Sequence, residues 1–345
     1  MKLMIITDAW KPQINGVVTT LINVMNRLER EGVRMEVIHP GRFRTLPLPG
    51  YPEIALSINP WRLAALIDAY QPDTVHIATE GPLGLMARHY LKRHSLAFTT
   101  SLHTKFPEYL AARYRLPLGW GYRFMRWFHR PAAATLVTTE SHRRELSNWG
   151  LEHLVVWGRG VDTCLFSPRP RLANHQPVLL YVGRVAVEKN LEAFLRLKVR
   201  GHKVVVGDGP QRAALQERYP GVIWRGYYQG QELAKAYAEA DVLVFPSLTD
   251  TFGLVMLEAM ACGTPVAAYP VTGPRDVVRE GVRGALAEDW ARAVARALRI
   301  PRERVRAFAE EHDWRAIARR FREALIPLKG NTRIPLGLPL ARQWR

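Results

Sequence analysis

The sequence predicts an α/β protein in which each half of the chain folds around its own doubly wound parallel sheet. Short apolar runs without polar alternation recur throughout the chain and end in glycine, proline or polar residues. Segments with helical periodicity separate these runs, an order typical of strands that helices bury on both faces. The stretch from Ser167 to Pro177 contains three prolines and no apolar period, so we expect a linker between two domains there.

The predicted strands of the first half are KLMIITD, VRMEVIHP, TVHIATEGP, AFTTSLH, ATLVTTE and LVVWGRG. Those of the second half are PVLLYVGR, KVVVGDGP, VIWRGY, DVLVFPS and PVAAYP. Near the end, Asp313 can cap a helix with the helical apolar period of WRAIARRFREAL. We therefore expect a first domain at 1–166, a second at 167–312, a helix at 313–327 that packs back toward the first domain, and a tail at 328–345.

The net charge of +18 predicts attraction to a polyanion, which can be a nucleic acid, an anionic bilayer or a phosphorylated substrate. The apolar start, MKLMIITDAW, lacks the features of a signal peptide, and no run of about 18 apolar residues predicts a membrane span. Cys164 and Cys262 form neither a metal-ligand pattern nor a disulfide framework. These features favour a reducing, cytoplasmic location.

Polar residues that follow the strands are the candidate site, because ligands of parallel sheets bind beyond the carboxyl ends of the strands. Arg184 and Lys189 follow the strand VLLYVG and can reach one anion together, which suits a diphosphate. The alternative is an exposed basic turn. After the first strand, Asn15 and Gly16 precede a predicted helix, and the glycine lets the backbone approach a phosphate at a helix N-terminus.

Two acids stand out in the segment SLTDTFGLVMLEAMACGTP. We expect a helix from about Phe252 to Cys262, capped at its start by Thr249, Asp250 or Thr251 and followed by Gly263. Asp250 then lies at the start of the helix and Glu258 more than one turn inside it. Two acids at different depths suit two hydroxyl clusters of an extended ligand; the alternative is a capping Asp and a solvent-facing Glu.

Several segments resemble glycosyltransferase family 4, whose members are retaining enzymes with the GT-B fold of two Rossmann-like domains facing a central cleft. SLTDTFGLVMLEAMACGTPVA is similar to the E-x7-E motif of that family, YVGRVAVEKNLEAFL to its GR-x4-K turn, and GRGVDTCLFSP to its GVD-x-x-x-F segment. TDAWKPQINGVVTTL, VHIATEGPLG and SLHTKFPEYL most closely resemble the branch of diacylglycerol glycosyltransferases and GDP-mannose-dependent α-mannosyltransferases. The first acid is Asp250 where the family has Glu, a departure that bears on the choice of sugar.

The resemblance implies a site for a nucleotide-diphosphate sugar. Arg184 and Lys189 would bind the diphosphate and neutralise the leaving nucleotide, so we expect no metal and no other cofactor. Gly16, beside Asn15, would close over the same diphosphate from the first domain. Tyr227 lies in the stretch expected to select the base.

The resemblance also implies the partners of the sugar. Glu258 would hold the ribose hydroxyls, and Asp250 the transferred sugar, helped by the backbone N–H groups of Phe252, Gly253 and Leu254. His103 matches the active-site histidine of the family; the alternative is a polar residue at a strand end. With no second carboxylate placed as a nucleophile, the expected chemistry is same-face attack by the acceptor with retention.

The stretch from 105 to 130 interleaves basic and aromatic residues, a composition that suits the interface of an anionic membrane. The residues expected at the membrane or the acceptor are Lys105, Arg113, Arg115, Trp120, Arg123 and Arg126. The alternative is that the aromatic residues pack in the first domain, which applies above all to Phe124, Trp127 and Phe128.

The resulting expectation is a peripheral enzyme at the inner face of the membrane that transfers a hexosyl unit from a UDP- or GDP-sugar to a lipid, with diacylglycerol as the preferred acceptor. A transferase with a soluble sugar or polysaccharide acceptor is the alternative. A nucleic-acid-binding protein is the rival of another class, but it leaves Asp250 and Glu258 unexplained, so no nucleic-acid partner is expected. The identities of the base, sugar and acceptor, and the oligomeric state, stay open.

Overall fold

The computed structural model describes residues 1–13, 15–48, 51–103, 105, 107–108, 117–170, 176–250 and 252–328. The strands are β1 Lys2–Ile6, β2 Arg34–Ile38, β3 Thr45–Leu48, β4 Tyr51–Ser57, β5 Thr74–Ile77, β6 Thr99–Ser101, β7 Ala134–Val137, β8 Leu154–Val156, β9 Val178–Val182, β10 His202–Val206, β11 Ile223–Gly226, β12 Val242–Phe245, β13 Val266–Ala268 and β14 Gly284–Leu286. The α-helices among these residues are α1 Gly16–Arg30, α2 Leu63–Tyr70, α3 Pro82–Arg93, α4 Leu118–His129, α5 Glu140–Asn148, α6 Leu191–Leu195, α7 Arg212–Arg218, α8 Gly230–Glu239, α9 Leu254–Ala261, α10 Pro274–Val277, α11 Trp290–Ala297, α12 Arg302–Glu310 and α13 Trp314–Ala324.

Two six-stranded sheets organise the chain, in the orders β2-β1-β5-β6-β7-β8 and β11-β10-β9-β12-β13-β14. Every ladder in both sheets is parallel. A separate antiparallel hairpin joins β3 and β4. The prediction of two doubly wound parallel sheets is confirmed. We call the part around the first sheet the first unit and the part around the second sheet the second unit.

Each sheet is buried on both faces. Successive residues of a strand point to opposite sides of the sheet, and the side chains of each side pack into a different apolar cluster. In β1, Leu3 packs into one apolar cluster and Met4 into another. In β9, Leu179 and Leu180 separate in the same way. Each large apolar side chain withdrawn from water in this manner contributes about 1.5–3 kcal/mol before the entropy of ordering is subtracted.

The last helix, α13, packs on the first unit although it follows the second in sequence. Trp314, Ile317 and Phe321 share a cluster with Leu21 of α1. The backbone bridge between Val161 and Asp313 lies where the chain crosses back. Asp313 caps α13, accepting a hydrogen bond from the N–H of Arg315 at 2.9 Å. Residues 171–175 of the expected linker, and the tail from 329 onward, lie outside the described residues.

None of the helices in the described parts of the chain combines the length and the apolar character needed to cross a bilayer.

Candidate active site

The predicted donor residues follow strands at which the connection order reverses. In the first sheet β1 lies between β2 and β5, and in the second β9 lies between β10 and β12. The carboxyl edge beside such a reversal is open because the flanking connections leave in opposite directions. Asn15 and Gly16 follow β1, Arg184 and Lys189 follow β9, and Asp250 follows β12. In both sheets, the candidate residues therefore follow the carboxyl ends of strands at the point where the connection order reverses.

The N-terminus of α1 faces the second unit. Asn15 caps the helix, its Oδ1 accepting hydrogen bonds from the N–H groups of Val17 and Val18 at 3.0 Å each. A Cβ added to Gly16 would lie 3.6 Å from Cδ1 of Leu254, at the start of α9. The starts of α1 and α9 thus meet across the cleft. A side chain larger than a hydrogen at position 16 would occupy the space between them.

Lys189 and Asp250 form an ion pair that joins the loops after β9 and β12. Nζ of Lys189 lies 2.6 Å from Oδ1 of Asp250. Beside this pair, Thr249 donates to the carbonyl of Glu188 at 3.3 Å, and Asn190 donates to the carbonyl of Pro246 at 3.2 Å. A diphosphate that binds the ammonium of Lys189 has to compete with the carboxylate of Asp250. Once released from the lysine, this carboxylate can accept a hydrogen bond from a sugar hydroxyl.

Arg184 is half-buried and is separated from the end of β9 by Gly183. Its backbone carbonyl accepts a hydrogen bond from the hydroxyl of Tyr181 at 2.8 Å. Burial raises the pKa of Tyr181 well above its usual value, and the charge of Asp250 adds to the effect. Tyr181 is therefore a neutral donor that holds the turn carrying Arg184.

The helix α9 begins at Leu254, with Gly253 as its capping residue. Gly253 has φ +79°, and an added Cβ would lie 2.7 Å from Cζ of Phe245. The expected side-chain cap is wrong for the two described candidates, because Asp250 pairs with Lys189 and Thr249 donates elsewhere. Thr251, the third candidate, lies outside the described residues. Since neither of the two described candidates caps the helix, the first N–H groups of α9 are candidates to bind an anion or a sugar hydroxyl.

Phe252 is buried in the core of the second unit, so only its backbone is placed to contact a ligand.

Glu258 lies within α9 and accepts a hydrogen bond from the hydroxyl of Tyr237 at 2.8 Å. Burial raises the pKa of Glu258 to about 7, although the bond from Tyr237 opposes the shift. The pKa of Tyr227 is raised by its own burial and then by the charge of Glu258. A carboxylate and an exposed aromatic ring are groups that suit a ribose and the base attached to it.

His103 has protein partners on both ring nitrogens. Nδ1 lies 2.7 Å from Nη2 of Arg159, and Nε2 lies 2.7 Å from Oγ of Ser101. A guanidinium only donates, so Nδ1 must accept. Burial, the charge of Arg159 and His76 lower the pKa of His103 well below its usual value. A neutral imidazole with hydrogen bonds at both ring nitrogens does not suit an acid–base role. Contact between His103 and the sugar stays a prediction.

Arg159 was missed in the sequence, although it lies in the GRGVD segment that carries part of the resemblance. Arg159 is 3% exposed, and its guanidinium carbon lies 4.8 Å from the ring centroid of Trp157. Nη1 donates to the carbonyl of Gly158 at 2.9 Å, and burial lowers the pKa to about 9. A basic residue between two glycines looks like an exposed turn; only its tertiary contacts show that it positions His103.

Lys105, expected at the membrane or the acceptor, is not exposed at a surface that a membrane could reach, and its contact with the acceptor stays a prediction. Lys105 is 8% exposed, and its Nζ lies 2.7 Å from Oε2 of Glu145 in α5. The same carboxylate oxygen accepts a hydrogen bond from Thr272 of the second unit at 3.0 Å. A buried, paired ammonium between the units has a role in packing, because reaching a bilayer would break the pair.

The other residues expected at the membrane divide in two groups. Trp120 is 73% exposed on α4, where Arg123 and Arg126 are also exposed. Arg113 and Arg115 lie outside the described residues. The alternative of core packing holds for Phe128, which is buried, and in part for Phe124, whereas Trp127 is half exposed.

Comparisons with known proteins place this architecture in a family. A model described as "Glycosyltransferase Family 4" matches residues 14–164, and one described as "Glycosyl transferases group 1" matches residues 176–300. A GDP-mannose-dependent alpha-mannosyltransferase of Mycobacterium tuberculosis is 30% identical over 310 residues, which cover 81% of each chain. The chain belongs to glycosyltransferase family 4. The family prediction is thereby confirmed.

Other relatives of this glycosyltransferase differ in what they act on. A sulfoquinovosyl transferase of Arabidopsis thaliana is 32% identical over 81% of this chain and 61% of its own. An alpha-monoglucosyldiacylglycerol synthase of Streptococcus pneumoniae is 24% identical over 86% of this chain and 78% of its own. The sucrose-phosphate synthase structure from Thermosynechococcus elongatus superposes with a TM-score of 0.75 at 21% identity, covering 93% of this chain and 97% of that one.

The GT-B fold is thereby confirmed, and the enzyme is a glycosyltransferase that uses a nucleotide-sugar donor. The roles of the individual site residues stay predictions.

Proposed function

We propose that this enzyme transfers a hexosyl unit, with retention and without a metal, from a UDP- or GDP-sugar to a membrane lipid, with diacylglycerol as the acceptor. One observation carries the donor half of the proposal. The ion pair of Lys189 and Asp250, the start of α9 and the carboxylate of Glu258 all belong to the segments that follow β9 and β12. The transferred sugar, the diphosphate and the ribose of the donor each find a partner of fitting chemistry among these groups.

The charges of the site favour cleavage of the donor. Arg184 and Lys189 are the cations beside the expected diphosphate, and the negative charge on the leaving nucleotide grows as the bond to the sugar breaks. Fixed cations at that place stabilise the transition state more than the ground state. This is the role that other folds give to a divalent metal, so the proposal requires none.

Retention follows in the proposal from the groups available near the sugar. Asp250 is paired with Lys189, and His103 is neutral with both ring nitrogens bonded. Neither suits the role of a nucleophile or a general base. We propose that the acceptor hydroxyl attacks the anomeric carbon from the face the diphosphate leaves. The carbon–oxygen bond to the phosphate breaks, the bond to the acceptor oxygen forms, and the acceptor proton passes to the departing phosphate oxygen.

The lipid acceptor and a position at the inner face of the cytoplasmic membrane are supported by charge and by the relatives. The chain carries a net charge of +18, and α4 exposes tryptophan and arginine together. One relative is named as a synthase of a glucosyldiacylglycerol. An enzyme that takes its acceptor from a bilayer gains from a surface of this composition, because it holds the cleft near the substrate.

The test is a panel of UDP- and GDP-sugars incubated with membrane lipid extract and analysed by mass spectrometry. A glycosylated diacylglycerol is expected from one donor. Arg184→Ala and Lys189→Ala should each lower kcat/KM by about 100-fold, because each removes a charge-assisted contact to the diphosphate.

The matched controls are Arg200→Ala and Lys198→Ala, which remove the same charges from exposed positions of the second unit. Product formed only on soluble sugars would contradict the lipid acceptor. Unchanged transfer by the Arg184 and Lys189 variants would contradict the donor site.

A further inference from the structure

A cavity of about 480 Å³ lies between α3 and α4 of the first unit, outside the site described above. We call it the α3–α4 pocket; its lining includes Arg88, Lys92, Arg123, Arg126, Trp127 and Arg130. Lys92 and Arg130 lie toward the ends of α3 and α4 from which the chain enters β6 and β7. The pocket is therefore near the amino edge of the first sheet, whereas the donor site is at the carboxyl edges.

The pocket concentrates positive charge. Its charged lining residues are all cations, and none of them takes part in an ion pair between described residues. One acid, Glu152, lines an adjoining cavity of about 330 Å³ that shares Arg126 and Arg130 with it. Like charges held this close repel one another, so an anion that enters the pocket is attracted by all of them.

Arg88 makes this a built site. It is 7% exposed, its Nε donates to the carbonyl of Phe128 at 2.9 Å, and its Nη2 donates to the carbonyl of Trp127 at 2.7 Å. The guanidinium carbon lies 3.8 Å from the ring centroid of Trp127. Arg88 thereby fixes the end of α4 and the indole of Trp127. An anion in the pocket meets a preformed arrangement, which lowers the entropic cost of binding.

The exposed face of α4 indicates where the anion comes from. Trp120, Arg123, Trp127 and Arg130 recur at intervals of three and four residues, so they form one stripe along the helix. Trp120 is 73% and Trp127 51% exposed. Exposed indoles that alternate with arginines are typical of protein surfaces at the headgroup level of a bilayer, where indole is amphipathic and arginine meets phosphate. A nucleic acid would instead require a groove that follows a backbone.

We propose that the α3–α4 pocket binds the phosphodiester headgroup of an anionic phospholipid and docks the first unit on the membrane. This lipid is a second ligand, separate from the acceptor. The inference goes beyond the proposed transfer reaction and does not require it, because the pocket and the stripe do not contact the donor residues.

The test compares sedimentation of the full-length protein with phosphatidylcholine vesicles that contain or lack phosphatidylglycerol. The test variant is Arg123→Ala/Arg126→Ala/Arg130→Ala. The matched control is Arg292→Ala/Arg299→Ala/Arg304→Ala, which removes the same charge from exposed positions of the second unit. Wild type and control should bind the phosphatidylglycerol vesicles equally, and the test variant at least about tenfold more weakly. Circular dichroism melting of both variants establishes that each is folded.

Equal weakening in both triple variants would overturn the inference, because binding would then follow net charge alone. Equal binding to vesicles without phosphatidylglycerol would overturn the requirement for an anionic headgroup. Glycerol 3-phosphate provides the soluble arm: if it raises the melting temperature of the wild type and abolishes vesicle binding at millimolar concentration, the site serves a free phosphate. Displacement of vesicles by a short RNA through the same three arginines would assign the pocket to nucleic acid.

Lys189→Ala should sediment like the wild type. Loss of transfer and loss of docking are therefore distinguishable.

Discussion

At the scale of single residues, Glu258 combines a pKa raised by burial with a predicted role in donor binding. Burial raises its pKa from an ordinary value of about 4.3 to about 7. The folded protein therefore holds a proton that the unfolded chain has already lost at intermediate pH. The stability associated with Glu258 falls as the pH rises from about 4.3 to about 7 and stays low above that range.

Glu258→Gln should remove this dependence. At pH 8 the variant should be more stable than the wild type by about 1–3 kcal/mol, because a neutral amide is cheaper to bury. Its KM for the donor should rise about tenfold, because one charged acceptor for the ribose hydroxyls is lost. Urea unfolding at pH 5 and pH 8, with donor kinetics, measures both effects.

The control is Glu232→Gln, an exposed position on α8. It should change neither the pH dependence nor KM. If the stabilities of wild type and Glu258→Gln change in parallel between pH 5 and pH 8, the carboxylate does not titrate in this range.

At the scale of elements, the start of α9 depends on a glycine. Gly253 adopts φ +79°, and a Cβ added to it would lie only 2.7 Å from Cζ of Phe245. Any other residue at this position would have to adopt a left-handed backbone conformation, and its Cβ would collide with a ring that is buried in the core. The first turn of α9 can then stay in place only if Phe245 moves.

Gly253→Ala should destabilise the protein by about 1–3 kcal/mol and lower kcat/KM by more than about tenfold, because the N–H groups at the start of α9 shift away from the sugar. Thermal melting and donor kinetics measure the two effects.

Gly221→Ala is the control: no heavy atom lies within 4 Å of its added Cβ, and its φ is not in the left-handed region. A Gly253→Ala variant with full activity would show that the geometry of this turn is not needed for transfer.

At the scale of the whole molecule, α5 of the first unit contacts the second unit. Glu145 accepts from Thr272 at 3.0 Å while it pairs with Lys105. Asp276 of α10 accepts from the backbone N–H of Ser141 at 3.0 Å. These polar contacts involve no predicted donor residue, so they can be weakened without altering the donor site.

Thr272→Val should favour separation of the units, because it deletes one hydrogen bond to a charged acceptor and keeps the volume of the side chain. KM for the donor should rise about 3- to 10-fold, with little change in kcat once donor is saturating. Small-angle scattering should show a larger radius of gyration than in the wild type. Thr45→Val, at an exposed position of β3, is the control, and an unchanged radius and KM would mean that this contact does not bias closure.

The local pattern of the chain was enough to predict the two sheets and to place the candidate donor residues after their strands. Runs such as VLLYVG and DVLVFPS identify buried strands, and Arg184, Lys189 and Asp250 lie in the loops that follow them. Parallel strands bring their carboxyl ends to one edge, so residues placed by sequence after neighbouring strands must converge. The family likeness rests on the same short segments.

Only the tertiary structure decided the contacts between residues far apart in the chain. Lys105 is paired because Glu145 lies opposite it, and His103 is neutral because burial and then the charge of Arg159 lower its pKa. The α3–α4 pocket exists because Arg88 packs on Trp127 of another helix. Periodicity reports which face of an element is apolar, but it does not report which element covers that face. The sequence by itself determined the fold and the strand ends at which the candidate residues lie, whereas packing determined which charged groups are paired and which face solvent.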